Sequence, residues 1–150
     1  MIFADTSLLC ALYRGQDNSA QADRLVKNAR GPLHVSSLVL FEFRQSARLQ
    51  AFRFSKDRAQ GFSRHQAQQM LAVLQTNVMA GGLVIALVDW PDVHSIAEQL
   101  SGRHTVGGGH RSLDVLHVAT ALHLQAAEFF TFDKNQALLA RVEGLKVKPL

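Results

Sequence analysis

Four acidic side chains occupy positions where the sequence predicts chemistry rather than a solvated surface. Asp5 follows an apolar run at residues 2–4, and Asp133 follows another at residues 128–132. Glu42 lies within the apolar segment 38–43, and Asp114 lies in the first turn of the most apolar helical pattern, at residues 112–126. A lone buried carboxylate is costly unless it has a partner or a metal ion. We therefore expect these four residues to form one site.

Each carboxylate also has a purely structural explanation. Asp5 can cap a helix, and the helix dipole can favour Asp114 in a first turn. Asp133 can be a turn residue, and Glu42 can pair with a nearby arginine. None of these explanations accounts for all four residues together, at strand ends and on apolar helices. Because clustered carboxylates repel one another unless a hard divalent cation neutralises them, the set predicts a metal site.

The elements that must position these residues alternate short apolar runs with longer helical periods. This rhythm predicts an α/β domain with a mostly parallel central sheet of four to five strands flanked by helices. We expect strands at residues 2–4, 33–36, 83–88, 128–131 and 145–147, with the run 83–88 buried on both faces. Predicted helices cover residues 7–13 (capped by Asp5 or Thr6), 19–29, 63–79, 112–126 and 135–141, with two more starting at Leu38 (capped by Ser37) and near Pro91. Ligand sites in parallel sheets collect at the carboxyl ends of strands.

Length and charge set broad limits. The 150 residues fit one domain, expected to cover 1–150. A net charge of +4 modestly favours a polyanionic partner. We expect no signal peptide and no membrane association, because the longest apolar run, 83–88, is too short to span a bilayer. The single cysteine, Cys10, excludes an internal disulfide and a cysteine-based zinc cage, and a reduced cytoplasm is the simplest setting.

Two segments are less regular in pattern. Residues 101–111 are predicted to be a loop, with the three glycines at 107–109 as its most flexible part. Residues 52–62 show no clear period, and the segment 52–64 interleaves phenylalanines with lysine and arginine. It could stack RNA bases, form a surface for a protein partner, or be an amphipathic helix end with solvated arginines.

The seven histidines include no pair at i, i+4, but His117 follows Asp114 by one turn and could line the site.

Taken in order, the acidic residues and their neighbours resemble the PIN-domain family, and most closely the VapC-type toxin ribonucleases of bacterial toxin–antitoxin pairs. The motifs are Asp5-Thr6-Ser7 after the first strand, Glu42 within 37–43, Asp114 within 112–121, and Thr131-Phe132-Asp133. The resemblance covers nearly the whole chain and implies a single PIN-like domain. It implies that Asp5, Glu42, Asp114 and Asp133 are catalytic and bind Mg²⁺ or Mn²⁺. Ser7 and Thr131 match supporting hydroxyl positions.

The resemblance also implies an activity and its setting. The chain would be an endoribonuclease that hydrolyses RNA phosphodiester bonds with metal-activated water, leaving a 5′-phosphate and a 3′-hydroxyl. A cognate antitoxin protein would silence it, and the toxin would be a cytoplasmic homodimer. Because the resemblance places antitoxin contacts on the early helices, it favours a protein partner for the segment 52–64.

Two other functions stay open. The chain could be a housekeeping RNA-processing PIN nuclease without an antitoxin. It could instead be a phosphoacceptor receiver-like signalling domain, for which Asp5, Thr131 and Lys148 are superficially suited. A receiver needs paired acids after its first strand, whereas Thr6 and Ser7 follow Asp5.

Overall fold

A five-stranded parallel sheet forms the centre of the computed structural model, which describes residues 1–149. The strands are β1 (Ile2–Ala4), β2 (Leu33–Val35), β3 (Leu83–Ile85), β4 (Glu128–Phe130) and β5 (Val147–Lys148). Their order is β3-β2-β1-β4-β5, and Phe3 of β1 pairs with His34 on one side and Phe129 on the other. All three residues of the central β1 are buried, which explains its uninterrupted apolar sequence. The predicted α/β fold is confirmed.

Seven helices of the described chain flank this sheet. They are α1 (Thr6–Tyr13), α2 (Ser19–Lys27), α3 (Ser37–Lys56), α4 (Arg64–Met79), α5 (Trp90–Gly108), α6 (Ser112–His123) and α7 (Lys134–Val142). Helices α1 to α4 contact one another, and α5 to α7 form a second group. Within residues 1–149, no helix has the length and apolar character needed to cross a membrane.

The chain path creates a crevice at the centre of the sheet. From β1 the chain proceeds to β2 and β3 on one side, and then crosses back to β4 on the other side of β1. Because parallel crossovers are right-handed, this reversal places the two groups of helices on opposite faces. A ligand crevice is expected at the carboxyl ends of the two strands where the order reverses. Here those strands are β1 and β4, the ones that precede Asp5 and Asp133.

Helix caps fix two of the candidate carboxylates in place. Asp5 caps α1, because its Oδ1 accepts a hydrogen bond of 3.0 Å from the backbone N–H of Leu8. Asp133 caps α7, because its Oδ1 accepts from the N–H groups of Asn135 and Gln136 at 2.8 and 3.0 Å. The structural explanation of Asp5 as a cap is therefore correct, and it does not compete with a place in the crevice.

Helix α3 differs from its prediction at both ends. Ser36, rather than Ser37, caps it by accepting a 3.2 Å hydrogen bond from the N–H of Val39. The helix then continues without a break to Lys56, so the first part of the segment 52–62 is helical rather than irregular. The Lys56 ammonium lies 5.6 Å from the centre of the Phe52 ring, one turn earlier, and this i, i+4 contact supports the last turn.

The predicted flexible loop at residues 101–111 is wrong, since α5 continues through Gly108. Gly109 ends the helix in the left-handed conformation, with φ of 64°. Glycine costs up to about 1 kcal/mol per residue in a helix, so tertiary contacts must compensate. They do so through Glu143 at the end of α7, which binds Arg103 at 3.0 Å and His104 at 2.6 Å.

The predicted strand at residues 83–88 is shorter and more exposed than expected. Strand β3 ends at Ile85, whose side chain is 47% exposed, and Leu87 beyond it is 95% exposed. The physical reason is position, because β3 is an edge strand with β2 as its neighbour in the sheet. An apolar run alone does not distinguish a central strand from an edge strand.

Candidate active site

Asp5 lies at the base of the crevice with both carboxylate oxygens occupied by short-range donors. Asp5 is fully buried and directly follows the last residue of β1. Burial raises the pKa of Asp5 above its ordinary value, although the hydrogen bonds from Leu8, Thr131 and Ser7 and the charge of His117 act in the opposite direction. A carboxylate in this environment gains from any additional cation placed beside it.

Two hydroxyl groups hold the Asp5 carboxylate. The Ser7 hydroxyl lies 2.8 Å from each Asp5 oxygen, and the Thr131 hydroxyl donates to Oδ2 at 2.8 Å. The same two hydroxyls accept backbone N–H groups after β4, from Phe132 at 2.7 Å and from Asp133 at 2.9 Å. Ser7 and Thr131 thus connect the ends of β1 and β4 and fix Asp5 relative to Asp133. Their predicted supporting position is consistent with this geometry.

Glu42 reaches the crevice from α3 and binds two partners through one oxygen. Its Oε2 accepts a hydrogen bond from the Thr6 hydroxyl and lies 2.7 Å from Nε2 of the fully buried His117. Burial alone would raise the pKa of Glu42, but the hydrogen bonds from His117 and Thr6, together with the charges of His117 and Arg111, outweigh it and lower the pKa. Within residues 1–149, no hydrogen bond reaches Oε1, so this oxygen is free for another ligand.

Asp114 enters from the first turn of α6 and accepts four hydrogen bonds. Its Oδ2 accepts from the backbone N–H and the Nε–H of Arg111 at 3.2 and 3.1 Å. Its Oδ1 accepts from an Arg111 guanidinium N–H and from Nε2 of Gln136, both at 3.3 Å. The side chain of Asp114 is only 3% exposed, so these donors balance a charge that water hardly reaches.

Arg111 connects Asp114 to the rest of the acidic cluster. Its second guanidinium nitrogen also lies 3.5 Å from Oδ2 of Asp133. The hydrogen bonds and charge of Asp114, and the charges of Asp133 and Glu42, raise the pKa of Arg111 further above its ordinary value. Asp114 and Asp133 therefore share one guanidinium, and Asp5 is linked to Asp133 through Thr131.

The donor chemistry of this crevice fits a hard divalent cation. Carboxylates and hydroxyls supply all the candidate ligands, as Mg²⁺ and Mn²⁺ prefer. Two carboxylate oxygens, Oε1 of Glu42 and Oδ2 of Asp133, accept no hydrogen bond from the described residues. In residues 1–149, however, no three His, Cys, Asp or Glu side chains converge closely enough to enclose an ion. The carboxylates of the crevice can bind a cation, and the positive charge that lies beside Asp114 and Asp133 is the Arg111 guanidinium.

The four carboxylates and two hydroxyls expected from the sequence lie at this edge of the sheet, and three further residues that were not expected there bind the carboxylates: Arg111, Thr6 and Gln136. Arg111 could have been found, because it stands three residues before Asp114 at the start of a helix. Thr6 and Gln136 carry no comparable signal. Their roles depend on contacts with Glu42 and Asp114, from which they are 36 and 22 residues distant.

Comparisons with known proteins agree with this architecture. A family profile described as "PIN domain" matches residues 2–143. No curated protein matches the chain at a significant level. Similar solved structures include Mycobacterium tuberculosis VapC20, a sarcin-ricin loop cleaving toxin, at 21% identity with a TM-score of 0.67, covering 97% of this chain and 96% of that one.

Two further structures show the same likeness. FitAcB from Neisseria gonorrhoeae is 18% identical, with a TM-score of 0.62 and coverage of 98% and 96% of the two chains. VapBC2 from Rickettsia felis, bound to a DNA fragment from its promoter, is 18% identical, with a TM-score of 0.61 and coverage of 99% and 98%. At these identities the likeness establishes a shared fold.

Proposed function

The chain belongs to the PIN-domain family, and we propose that it is a metal-dependent endoribonuclease, the toxin of a toxin–antitoxin pair. The observation that carries the proposal is that bridging side chains link the four carboxylates at the carboxyl ends of β1 and β4. Thr131 joins Asp5 to Asp133, and Arg111 joins Asp133 to Asp114. Glu42 accepts from Thr6, the residue after Asp5. Family membership leaves the receiver-like alternative without support. The likeness to VapC20, FitAcB and VapBC2 supports the toxin assignment over a housekeeping nuclease.

In this proposal the chain's own residues prepare a site for Mg²⁺ or Mn²⁺. Asp5, Glu42, Asp114 and Asp133 would hold the ion, and Ser7 and Thr131 would keep Asp5 oriented toward it. When bound, the ion supplies the Lewis acidity that activates water and offsets charge on the scissile phosphate. Ser7 serves Asp5 rather than substrate in this proposal, because its hydroxyl lies 2.8 Å from both Asp5 oxygens and accepts the N–H of Phe132.

The net positive charge of the chain explains how a polyanion such as RNA could be the substrate of an acidic crevice. The chain carries a net charge of +4 although its crevice collects four carboxylates, so the remaining surface is more basic than the total. A polyanion is attracted to that surface and approaches the crevice only where a cation offsets the carboxylates. This arrangement suits a cytoplasmic nuclease that acts on RNA and needs its metal for catalysis.

An exposed apolar stripe on α3 supports a protein partner. Phe41, Leu49 and Phe52 are 61%, 42% and 57% exposed, and their spacing places them on one side of the helix. Phe41 is adjacent to Glu42, so a partner that covers the stripe also reaches the edge of the crevice. Exposed aromatic groups of this kind mark interaction sites. We assign the stripe to the antitoxin, with a second copy of the chain as the other expected partner in a homodimer.

Cleavage of RNA by the purified chain tests the enzymatic part of the proposal. Labelled RNA should be cut with Mg²⁺ or Mn²⁺, and cutting should stop when EDTA is added. The products should carry a 5′-phosphate and a 3′-hydroxyl. A parallel preparation of Asp5→Asn controls for contaminating nucleases, and undiminished cleavage in EDTA would contradict the metal mechanism.

Co-expression with the neighbouring gene tests the toxin assignment. Expression of the chain alone should arrest growth, and the neighbouring product should form a complex with it and relieve the arrest. If the purified chain cuts RNA but no such partner binds or relieves growth, the housekeeping nuclease is the correct alternative.

A further inference from the structure

Arg111 lies between two carboxylates of the crevice, those of Asp114 and Asp133. Its Nε–H and one N–H of its terminal nitrogen bind the two oxygens of Asp114 at 3.1 and 3.3 Å, in the paired geometry typical of arginine with a carboxylate. The same terminal nitrogen lies 3.5 Å from Oδ2 of Asp133. That oxygen accepts no hydrogen bond from the other residues described, so Arg111 is its nearest positive charge.

We propose that Arg111 is a built-in counter-cation of the acidic crevice, and that a divalent metal ion binds by displacing its guanidinium from Asp114 and Asp133. The proposal rests on the proposed function, because the metal class comes from there. It explains why the carboxylates meet at one edge of the sheet although no three of them enclose an ion in residues 1–149. In the metal-free protein, the arginine supplies the charge that otherwise comes from the cation.

Asp114 is held in place independently of the guanidinium. The backbone N–H of Arg111 donates to Oδ2 at 3.2 Å, and the side chain of Gln136 donates to Oδ1 at 3.3 Å. Neither bond depends on the position of the arginine side chain. Asp114 can therefore stay at the start of α6 while the guanidinium leaves, so the exchange needs no movement of a helix.

Exposure makes the exchange easy. The side chain of Arg111 is 74% exposed, while that of Asp114 is 3% exposed, so the arginine covers the crevice from the solvent side. Because the guanidinium itself is exposed, water screens the pair, and we expect its loss to change an equilibrium constant by about fivefold, the upper end of the range for exposed pairs. A divalent ion that bound several carboxylates would displace such a contact, whereas the water around the rim would accept the released guanidinium.

Metal binding measured without RNA tests the proposal. Mn²⁺ should be titrated calorimetrically into the wild type, Arg111→Gln and Arg103→Gln. Arg103 is a matched control, because it is also exposed (57%) and paired with a carboxylate, that of Glu143 at 3.0 Å. Arg111→Gln should bind Mn²⁺ about fivefold more tightly than the wild type, and Arg103→Gln should bind as the wild type does. Equal or weaker binding by Arg111→Gln would overturn the proposal.

Thermal unfolding supplies a second measurement. The rise in melting temperature on adding saturating Mn²⁺ to protein in EDTA should be larger for Arg111→Gln than for the wild type, because metal there replaces no existing cation. Arg111→Lys keeps the positive charge but not the paired geometry, so its rise in melting temperature should lie between those of the wild type and Arg111→Gln. This ordering also separates an effect of charge from a loss of folding in the glutamine variant.

Failure of this proposal and failure of the proposed function give different results. If the wild type binds Mn²⁺ but cuts no RNA, the nuclease assignment fails, while the comparison of Arg111→Gln with the wild type still decides the role of the arginine. If neither protein binds Mn²⁺, the exchange itself is refuted, whatever activity is found.

Discussion

Nε2 of His117 lies 2.7 Å from Oε2 of Glu42, which joins α6 to α3 across 75 positions in the sequence. The same oxygen accepts the Thr6 hydroxyl, so both donors bind one side of the carboxylate. Since no donor among the described residues reaches Oε1, the contacts of His117 and Thr6 with Oε2 determine that Oε1 is the Glu42 oxygen that faces the crevice. His117 is fully buried, and its Nδ1 has no hydrogen-bond partner in the described part of the chain, so Glu42 is its polar contact.

Removing the His117 donor should lower activity without destroying the fold. His117→Leu replaces the imidazole with an apolar side chain of similar size that cannot bind Glu42, and we expect cleavage to fall about 10- to 100-fold, as for other partners of metal ligands. His117→Gln retains an N–H donor and should recover part of the rate. The measurement is the cleavage rate of both variants, and circular dichroism checks that each is folded. Equal losses in the two variants would indicate a packing role instead.

The pH dependence of stability should change in the same variant. Because partners lower the pKa of Glu42, its ionised form stabilises the fold above the ordinary pKa of 4.5, and this contribution disappears as pH falls through the lower folded value. In His117→Leu the folded pKa rises, so the contribution should be lost at a higher pH. Unfolding in denaturant between pH 3 and 7, in EDTA, measures the difference between variant and wild type.

Neutralising Asp5 or Asp114 should lower cleavage activity while the protein stays folded. Asp5→Asn and Asp114→Asn should each lower metal-dependent cleavage by at least about a hundredfold if both residues hold the ion. Melting temperature in EDTA should stay level or rise for Asp5→Asn, because a buried charge leaves a cluster of like charges. It should not rise for Asp114→Asn, which also weakens the paired hydrogen bonds from Arg111. Asp23→Asn, an exposed change on α2, is the matched control. A fully active Asp5→Asn or Asp114→Asn would refute the assignment of the site.

The effect of Asp5→Asn on stability should itself depend on pH. Burial raises the folded pKa of Asp5 above its ordinary 3.8, so ionising it opposes folding as pH rises from 3.8 through the folded value. The gain in stability of Asp5→Asn over the wild type should therefore be present at pH 7 and absent below pH 4. Equilibrium unfolding in EDTA at both pH values measures it, and a gain that persisted at low pH would have another cause.

The hydroxyl of Thr131 should matter through Asp5 rather than through packing. Thr131→Val keeps the shape but removes the donor to Asp5 and the acceptor for the N–H of Asp133. We expect about a tenfold loss of cleavage rate and a further rise in the pKa of Asp5. Thr131→Ser restores the hydroxyl and should restore most of the rate. No difference between the valine and serine variants would show that the hydroxyl is dispensable.

The apolar stripe on α3 should control assembly. Phe52→Asp places a charge at the C-terminal end of the proposed contact and should weaken binding of the antitoxin at least about tenfold, the loss typical of a large contact residue. Val106→Asp is the control, because Val106 is fully exposed on α5. Pull-down and light scattering measure antitoxin binding and dimer formation separately. Equal binding by both variants would place the partner elsewhere.

The sequence by itself determined the architecture and the residue types of the site. Apolar runs followed by helical periods identified a parallel sheet, since strands buried on both faces and crossover helices have distinct patterns. Asp5 and Asp133 could be placed because Asp5 directly follows β1 and Asp133 lies three residues beyond β4, and strand ends share one edge of the sheet. Their local positions depend on caps and neighbouring hydroxyls, which short segments of sequence encode.

Tertiary structure decided the features that depend on distant partners. The contact of Glu143 with Arg103 and His104 keeps the glycine-containing end of α5 helical, which local propensity does not predict. The edge position of β3 exposes Leu87, because strand order depends on the whole chain path rather than on composition. Arg111 shows the same principle at the site. Its contact with Asp114 is local, but its position beside Asp133 and near Glu42 exists only once α3, α6 and the end of β4 have met.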